Sequence, residues 1–288
     1  MGGARYGWSL WLVACAACGR VGFDERVAPL IADAPNADAP NADSPVMTDG
    51  PPVCLELSAA WTPQWASVIE YLPFDGAVGA VANGATITAT VGANAAASNV
   101  DGTGLAYAAM GINQALRFDG VDDHLTVTMP TIDTTAGDTV SVAFWIQWNG
   151  VYYNTASGWT AVLYFTNNKY TLPFVSAGVN SFGFNTNNSD MWGAANSGFV
   201  SKWVHVVAEF RNGSSDTSAM FVDGVQQTLT QTLSTANPGV VGTGLEIGAY
   251  AAYPTFFGGY LDDLAVWNRA LTQAEVQTLY DNQKACYP

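Results

Sequence analysis

The chain has 288 residues, 49% of them apolar and 11% charged, with a formal net charge of −15. Three Lys and six Arg in the whole chain exclude nucleic acid as a partner, because neutralising phosphates takes clustered cations. Charge this sparse, against roughly 25% in ordinary soluble domains, leaves Asn, Thr, Ser, Gln and Gly to make the polar surface and points to an extracytoplasmic β-protein. Eighteen Asp against six Glu point the same way, since Asp suits turns and hard-cation sites and Glu suits helices.

Residues 1–18 read as a processing signal. Arg5 supplies a positive n-region, and the apolar run from Trp8 to Ala14 is far shorter than the ~20 residues of a membrane span. Leu12-Val13-Ala14-Cys15 resembles a bacterial lipoprotein lipobox with Cys15 as the acylated residue; Cys18, also preceded by small residues, is the alternative, and a plain secretory signal is the other reading. Acyl chains contribute ~0.8 kcal/mol per buried CH₂, enough in twos and threes for lasting attachment. The expected location is therefore outside the cytoplasm, lipid-anchored to the bacterial outer membrane or cell surface, with the lipid as the only membrane contact.

Residues 19–53 follow as a tether rich in Ala, Asp, Pro and Asn, with a five-residue repeat (ADAPN, ADAPN, ADSPV) from Ala32. No apolar periodicity is present to bury. Regular Pro favours extended chain at ~3.1 Å per residue, so the stretch could reach on the order of 100 Å. Beyond it, Cys54 and Cys286 bracket everything that reads as folded. In an exported protein the simplest reading is a disulfide joining the two ends, contributing roughly 5 kcal/mol in the chain-entropy picture, with two free thiols as the alternative.

In residues 54–288, strand signals recur between Gly, Asn, Asp and Pro clusters. The segment 139–148 alternates Val140, Val142, Phe144, Ile146 and Trp148 with Ser141, Ala143, Trp145 and Gln147, and 203–211 alternates likewise with Val204, Val206, Ala208 and Phe210 on one face. Further strands are expected at 86–91, 124–129, 160–166, 179–185, 218–222, 244–248 and 258–267. Asp223-Gly224 marks a hairpin. More than ten short strands imply two packed sheets. One helix is expected: Thr272 as N-cap with Glu275 three residues on makes a capping box, Leu271 and Val276 make a hydrophobic staple, and Val276, Leu279 and Tyr280 form the buried stripe.

Seven segments, in order, carry a resemblance: YLPFDG (71–76), ALRFDGVDDHLTV (115–127), TVSVAFWIQW (139–148), KWVHVVAEF (202–210), MFVDGVQQ (220–227), LEIG (245–248) and GGYLDDLAVWNRALTQAEVQTLY (258–280). Their order and spacing resemble the laminin-G-like jelly-roll domains of the concanavalin A-like lectin/glucanase superfamily. The resemblance implies an all-β, two-sheet antiparallel jelly-roll sandwich with neighbouring termini and one short C-terminal helix. Its members differ in task; many bind carbohydrate or act in adhesion, so it speaks to fold more than function.

Glucanases of that superfamily place two Glu about an Asp on one strand, with acid and nucleophile ~5 Å apart. Here no two Glu lie within ten residues of each other, and Glu209 and Glu246 each stand alone on their strands. Neither GxSxG nor HExxH occurs. Only His124 and His205 are present, and His205 matches a structural His of the resembled strand motif. No catalytic residue is assigned. A cation set is expected at Asp119, Asp123 and Asp262: Asp119, Asp122 and Asp123 crowd one loop, while Asp262 and Asp263 open the last strand, where Asp262 shares a period-two face with Leu264 and Val266. A carboxylate facing a core needs a cation or hydrogen-bond donors. Ca²⁺ would suit such oxygens, and capping by turn N–H groups is the alternative.

A glycan surface needs aromatic faces beside amides. The expected set is Tyr152, Tyr153 and Trp159; Asn187, Asn188 and Trp192; and Tyr250, Tyr253 and Phe256, followed by Phe257. The opposing reading is that these aromatics fill the core. The whole reads as a monomeric, non-catalytic, surface-tethered carbohydrate-binding or adhesion module taking a glycan. The alternatives are a module taking a surface protein, or a glycoside hydrolase with an atypical Asp site.

Overall fold

The structure, a computed structural model, describes residues 55–287 apart from 111–112, 131, 154–156, 167–169, 177, 187–189 and 235–236. The expected signal, its Cys15 and Cys18, the tether, Cys54, Asn187 and Asn188 lie outside the described residues. Among the described residues no helix is long and apolar enough to cross a membrane.

Two nine-stranded antiparallel sheets make the fold. The first runs in the order Val225–Gln226, Ala219–Val222, Val204–Arg211, Thr139–Trp148, Gly258–Trp267, Asn113–Asp119, Ala106–Met110, Gly79–Ala80, with Val68–Leu72 also paired to Gly258–Trp267. The second runs Thr230–Gln231, Trp192–Ala195, Ser181–Phe184, Tyr170–Val175, Trp159–Phe165, Gly244–Ile247, His124–Thr128, Ala95–Ser98, Thr86–Ile87. Both give one face to a shared core. Val140, Val142, Phe144, Ile146, Trp148, Val204, Val206, Ala208 and Phe210 from the first sheet meet Leu125, Leu163, Phe165, Leu172, Phe174, Phe182 and Ile247 from the second. Ring geometry locks the contact: Trp148 stacks on Phe174 with centroids 4.2 Å apart, and Phe210 meets Phe165, Tyr170 and Phe184 edge to face.

The alternation expected for Thr139–Trp148 holds, but its second face is buried too: Ser141, Ala143 and Trp145 are each at most 2% exposed. The cover is the C-terminal helix α1, Gln273–Gln283, together with residues 57–67 from the start of the folded region. Both halves of the capping box form, with Glu275 N–H donating to Thr272 Oγ1 and Thr272 N–H donating to Glu275 Oε2 at 2.7 Å. Leu271 and Val276 join one buried cluster with Leu279, Ala265, Trp267, Val207 and Leu57. Glu209, alone on its strand as expected, is an anchor for this arrangement: it accepts from the Leu271 N–H at 2.8 Å just before the helix.

Sequence reading shortened or missed several strands. Segment 86–91 pairs only over Thr86–Ile87, because Gly92 and the bridge from Val91 to Tyr71 redirect it. Val68–Leu72, Ala95–Ser98, Ala106–Met110 and Tyr170–Val175 went unread, their small residues or continuous apolar runs showing no clear period. The Asp223-Gly224 hairpin is correct: both residues have positive φ, 50° and 79°, and Val222 pairs Val225.

The Gly258–Trp267 strand carries one fault line. Between Asp262 and Ala265 its register against Thr139–Trp148 shifts by an extra residue, and Asp263 has a φ of 49°. The two sides of the bulge face different partners, Asn113–Asp119 up to Leu261 and Val68–Leu72 from Leu264 onward. This corrects the expected placement of Asp262. The extra residue reverses the parity, so Leu261, Leu264 and Val266 enter the shared core while Asp262 and Asp263 lie under the C-terminal cover.

Candidate functional site

The buried aspartates form a closed set. Asp262 and Asp263 are 0% and 3% exposed. Tyr287 donates to Asp262 Oδ2 at 2.8 Å, Tyr71 to Asp263 Oδ1 at 2.6 Å, and Gln283 Nε2 to Asp263 Oδ2 at 2.6 Å. Asp262 Oδ1 accepts the Asp263 N–H. Hydroxyl and amide donors from Tyr71, Gln283 and Tyr287 thus surround these oxygens, with the Asp263 N–H as the backbone donor. Burial is the main cause that holds Asp262 well above the usual carboxylate range and pushes Asp263 up to about 7. The expected three-residue cation set is thus divided: Asp262 belongs to the C-terminal cover, and Asp119 and Asp123 belong elsewhere.

Asp119 and Asp123 meet at one rim of the sandwich, where the Asn113–Asp119 strand turns into His124–Thr128. There Asp119, Asp122 and Asp123 each bring a carboxylate oxygen within 4.8 Å of the others. The turn orders them: Asp119 N–H donates to Asp123 Oδ2 at 2.9 Å, and Val121 N–H to Asp119 Oδ1 at 2.7 Å. Asp101 N–H donates to Asp122 Oδ2 at 2.8 Å. Asp123 is 0% exposed, yet its Oδ1 has no hydrogen-bond partner, and neither has the buried Oδ1 of Asp122. Burial, opposed by the Asp119 N–H and reinforced by the neighbouring carboxylates, pushes Asp123 up to about 7. These three carboxylates, with two buried oxygens lacking a donor, could hold a hard cation such as Ca²⁺.

Tyr153 packs against the same rim. Its ring occupies the space that Cβ atoms on Gly120 and Gly258 would fill, and its hydroxyl accepts from Asn149 Nδ2 at 2.7 Å. Phe256 is also there, its ring 6.1 Å from that of His124. Tyr152 instead supports the core: it meets Trp148 edge to face and accepts from Asn196 Nδ2 at 2.8 Å. Trp192 packs against the core as well, and Phe257 is wholly inside it. Trp159 is half-buried opposite Val175.

Tyr250 and Tyr253 form a second, separate feature on the outer face of the second sheet. Tyr164 stacks on Tyr250 with centroids 4.0 Å apart at 21°, and Tyr250 meets Tyr253 at 5.0 Å. Exposure rises along this ladder: Tyr164 is 7% exposed and Tyr253 is 61%. Tyr164 lies opposite Glu246, and Glu246 opposite Thr126. Glu246 Oε2 accepts from the Ala251 N–H at 2.9 Å, fixing the connection that bears the two outer tyrosines. Tyr164 was not singled out in sequence, and Glu246 was noted only as a Glu alone on its strand. The available signal was the lone Tyr between core residues Leu163 and Phe165.

His205 and Glu209 serve the fold. His205 is 1% exposed beside Trp145, its Nδ1 has no partner, and burial lowers it to about 3. Glu209 and Glu246 sit on different sheets, so these two do not form a glucanase-type carboxylate strand.

These two antiparallel sheets with a covered outer face on one and an aromatic ladder on the other define a lectin-like sandwich. The family described as the concanavalin A-like lectin/glucanases superfamily matches residues 119–277, and the chain belongs to it. No curated protein matches the chain. Among solved structures, an HCR/D mutant has a TM-score of 0.51 at 14% identity, over 75% of this chain and 52% of that one. Domain 4 of a GH43 extracellular arabinanase from Geobacillus stearothermophilus, in complex with arabinotriose, has a TM-score of 0.48 at 14% identity, over 75% and 98%. The botulinum neurotoxin serotype D ligand binding domain in complex with N-acetylneuraminic acid has 0.48 at 12%, over 75% and 51%. The chain spans nearly the whole arabinanase domain but about half of the other two. At these identities the likeness concerns the fold.

Proposed function

We propose that the chain is an exported, surface-tethered, non-catalytic carbohydrate-binding module whose sugar surface is the Tyr164–Tyr250–Tyr253 ladder. The observation that carries this is the ladder's gradient of exposure. A buried ring supports a half-buried ring, which supports an exposed one, so the outer face is held in place before any ligand arrives. Aromatic faces stack on the C–H faces of sugars, and fixed rings lose little freedom on binding. The superfamily's lectin architecture agrees with such a role.

Ca²⁺ at Asp119, Asp122 and Asp123 is part of the proposal, as a stabiliser of the rim beside Tyr153. A Cys54–Cys286 disulfide belongs to it as well. Cys286 is buried beside Trp145 and Tyr287, and the start of the folded region packs on the same cover. Acylation at Cys15, or at Cys18, and residues 19–53 as spacer complete it.

A glycan array with the purified chain tests the reading. Binding to at least one polysaccharide, lost in Tyr253→Ala and retained in Tyr253→Phe, is the expected result. Binding that is unchanged in Tyr253→Ala and Tyr250→Ala would remove the ladder from the function. Retention of a surface protein after deglycosylation would favour a protein partner instead.

A further inference from the structure

We infer that the glycan taken by the tyrosine ladder carries no acidic groups. The inference rests on the ladder being the binding surface, and it concerns which sugars that surface admits.

The basis is where charge lies in the fold. The described Lys and Arg residues are Arg117, Lys202, Arg211, Arg269 and Lys284. Arg117 and Arg211 stand on strands of the first sheet. Lys202 leads into the Val204–Arg211 strand, Arg269 follows Gly258–Trp267 and meets Glu275 of the C-terminal helix at 3.4 Å, and Lys284 follows that helix. No described residue of a second-sheet strand is Lys or Arg, and neither is any residue of the 248–257 connection that carries Tyr250 and Tyr253. The charged group set among the rings is Glu246, opposite Tyr164 and fixed by Ala251 N–H.

Carboxylated and sulfated sugars are recognised in water through guanidinium or ammonium groups that match their oxygens. The ladder offers the opposite sign. Burial, opposed by the hydrogen bond with Tyr164 and reinforced by the nearby Tyr253 and Glu246, raises Tyr250 above the usual phenol range, and like any phenol its hydroxyl is protonated at neutral pH. A protonated phenol both donates and accepts, which suits sugar hydroxyls. The faces of the rings carry negative quadrupole charge, and an ammonium is attracted to them while a carboxylate is not. Neutral polysaccharides, and those bearing free amines, meet complementary chemistry here. Acidic ones meet a carboxylate at close range, on a chain of net charge −15.

Lys169, in the 166–170 connection of the second sheet, lies outside the described residues, and the test includes it. The full chain is titrated at low salt against matched polymers: hydroxyethylcellulose with carboxymethylcellulose, pectic galactan with polygalacturonate, and chitosan oligosaccharides with their N-acetylated forms. Only binding abolished by Tyr253→Ala is counted. The expected result is that neutral or amine-bearing probes bind at least about fivefold more tightly than carboxylated partners. Glu246→Gln, which keeps an acceptor for Ala251 N–H, should narrow that gap. Preferred binding of a carboxylated probe that depends on Tyr253 would overturn the inference while leaving the module reading intact, and its loss in Lys169→Ala would identify the cation responsible. Absence of Tyr253-dependent binding to every probe would overturn the ladder as the site, and this inference with it.

Discussion

The Tyr71 hydroxyl donates to Asp263 Oδ1 at 2.6 Å, joining residues 192 apart in sequence. Tyr71 lies on the first strand of the described region and Asp263 in the bulge of the last strand. The bond ties the two ends of the fold beneath the C-terminal helix, where Tyr287 and Gln283 complete the same network.

That network should make stability depend on pH. Asp263 is pushed up to about 7 by burial, with Asp75 adding to the rise, and Asp75 itself is pushed up to about 6, while Asp262 is held well above its ordinary value. The groups facing them are Tyr71, Tyr287, Gln283, Asp75 and Glu56, with no cation among them. A raised acid binds more protons folded than unfolded between its unfolded value, near 4, and its folded one. The stabilisation is therefore complete below about pH 4 and is lost as pH rises through about 7. In a His205→Phe background, free of the opposing histidine titration, thermal melts should show Tm falling by about 5 °C between pH 5 and pH 8, the shift that ~2 kcal/mol gives a domain of this size. Asp263→Asn, tolerated at positive φ, should flatten that slope. An equal slope in the variant would place the titration elsewhere.

His205 acts in the opposite sense. Burial lowers it to about 3, so the unfolded chain binds the extra proton between about pH 3 and 6.5, and stability rises with pH across that window. His205→Phe should leave the neutral-pH Tm within about 3 °C, because an apolar ring replaces a buried nitrogen without a partner. It should also remove the histidine's share of acid-side destabilisation and so raise Tm at pH 4 relative to the wild type. Melts of the two proteins from pH 4 to pH 7 decide this.

Removing the capping hydroxyl should weaken the C-terminal cover. Thr272→Ala leaves Glu275 N–H without its side-chain acceptor and should cost about 1 kcal/mol. Chemical denaturation should show a lower midpoint with an unchanged m-value.

Calcium should raise Tm through the rim. The wild-type chain should gain stability with rising Ca²⁺ as binding to the folded state alone requires, and a chelator should reverse the gain. Asp123→Ala should melt at one temperature with or without Ca²⁺. A calcium response surviving in that variant would exclude this rim as the site.

Much of the sandwich was legible because alternation records which side chains enter the core shared by the two sheets. Val140 to Trp148 and Val204 to Phe210 show it without interruption, and the capping box at Thr272 is local chemistry that needs no tertiary context. The face of Asp262 was misread because the bulge inserts one residue in the middle of a clean pattern. The clue was there in Leu261 and Leu264, two core leucines three residues apart with Asp262 and Asp263 between them. The site was harder. Asp119 and Asp123 lie in one turn, so sequence brought them together; Tyr164 meets Tyr250 only because a connection folds back over the sheet. No local pattern encodes that contact.

The Val68–Leu72 strand lies antiparallel along the last half of Gly258–Trp267, with Trp267 Nε1 donating to the Pro63 carbonyl. A pull applied at the beginning of the folded region therefore enters the first sheet beside its final strand and is resisted by interstrand hydrogen bonds and the packing of Leu57 under the helix. The tyrosine ladder, on the far face of the other sheet, is outside that load path. A fold held under tension at its N-terminal end would keep the tyrosine ladder undistorted until the seam between its first and last strands parted.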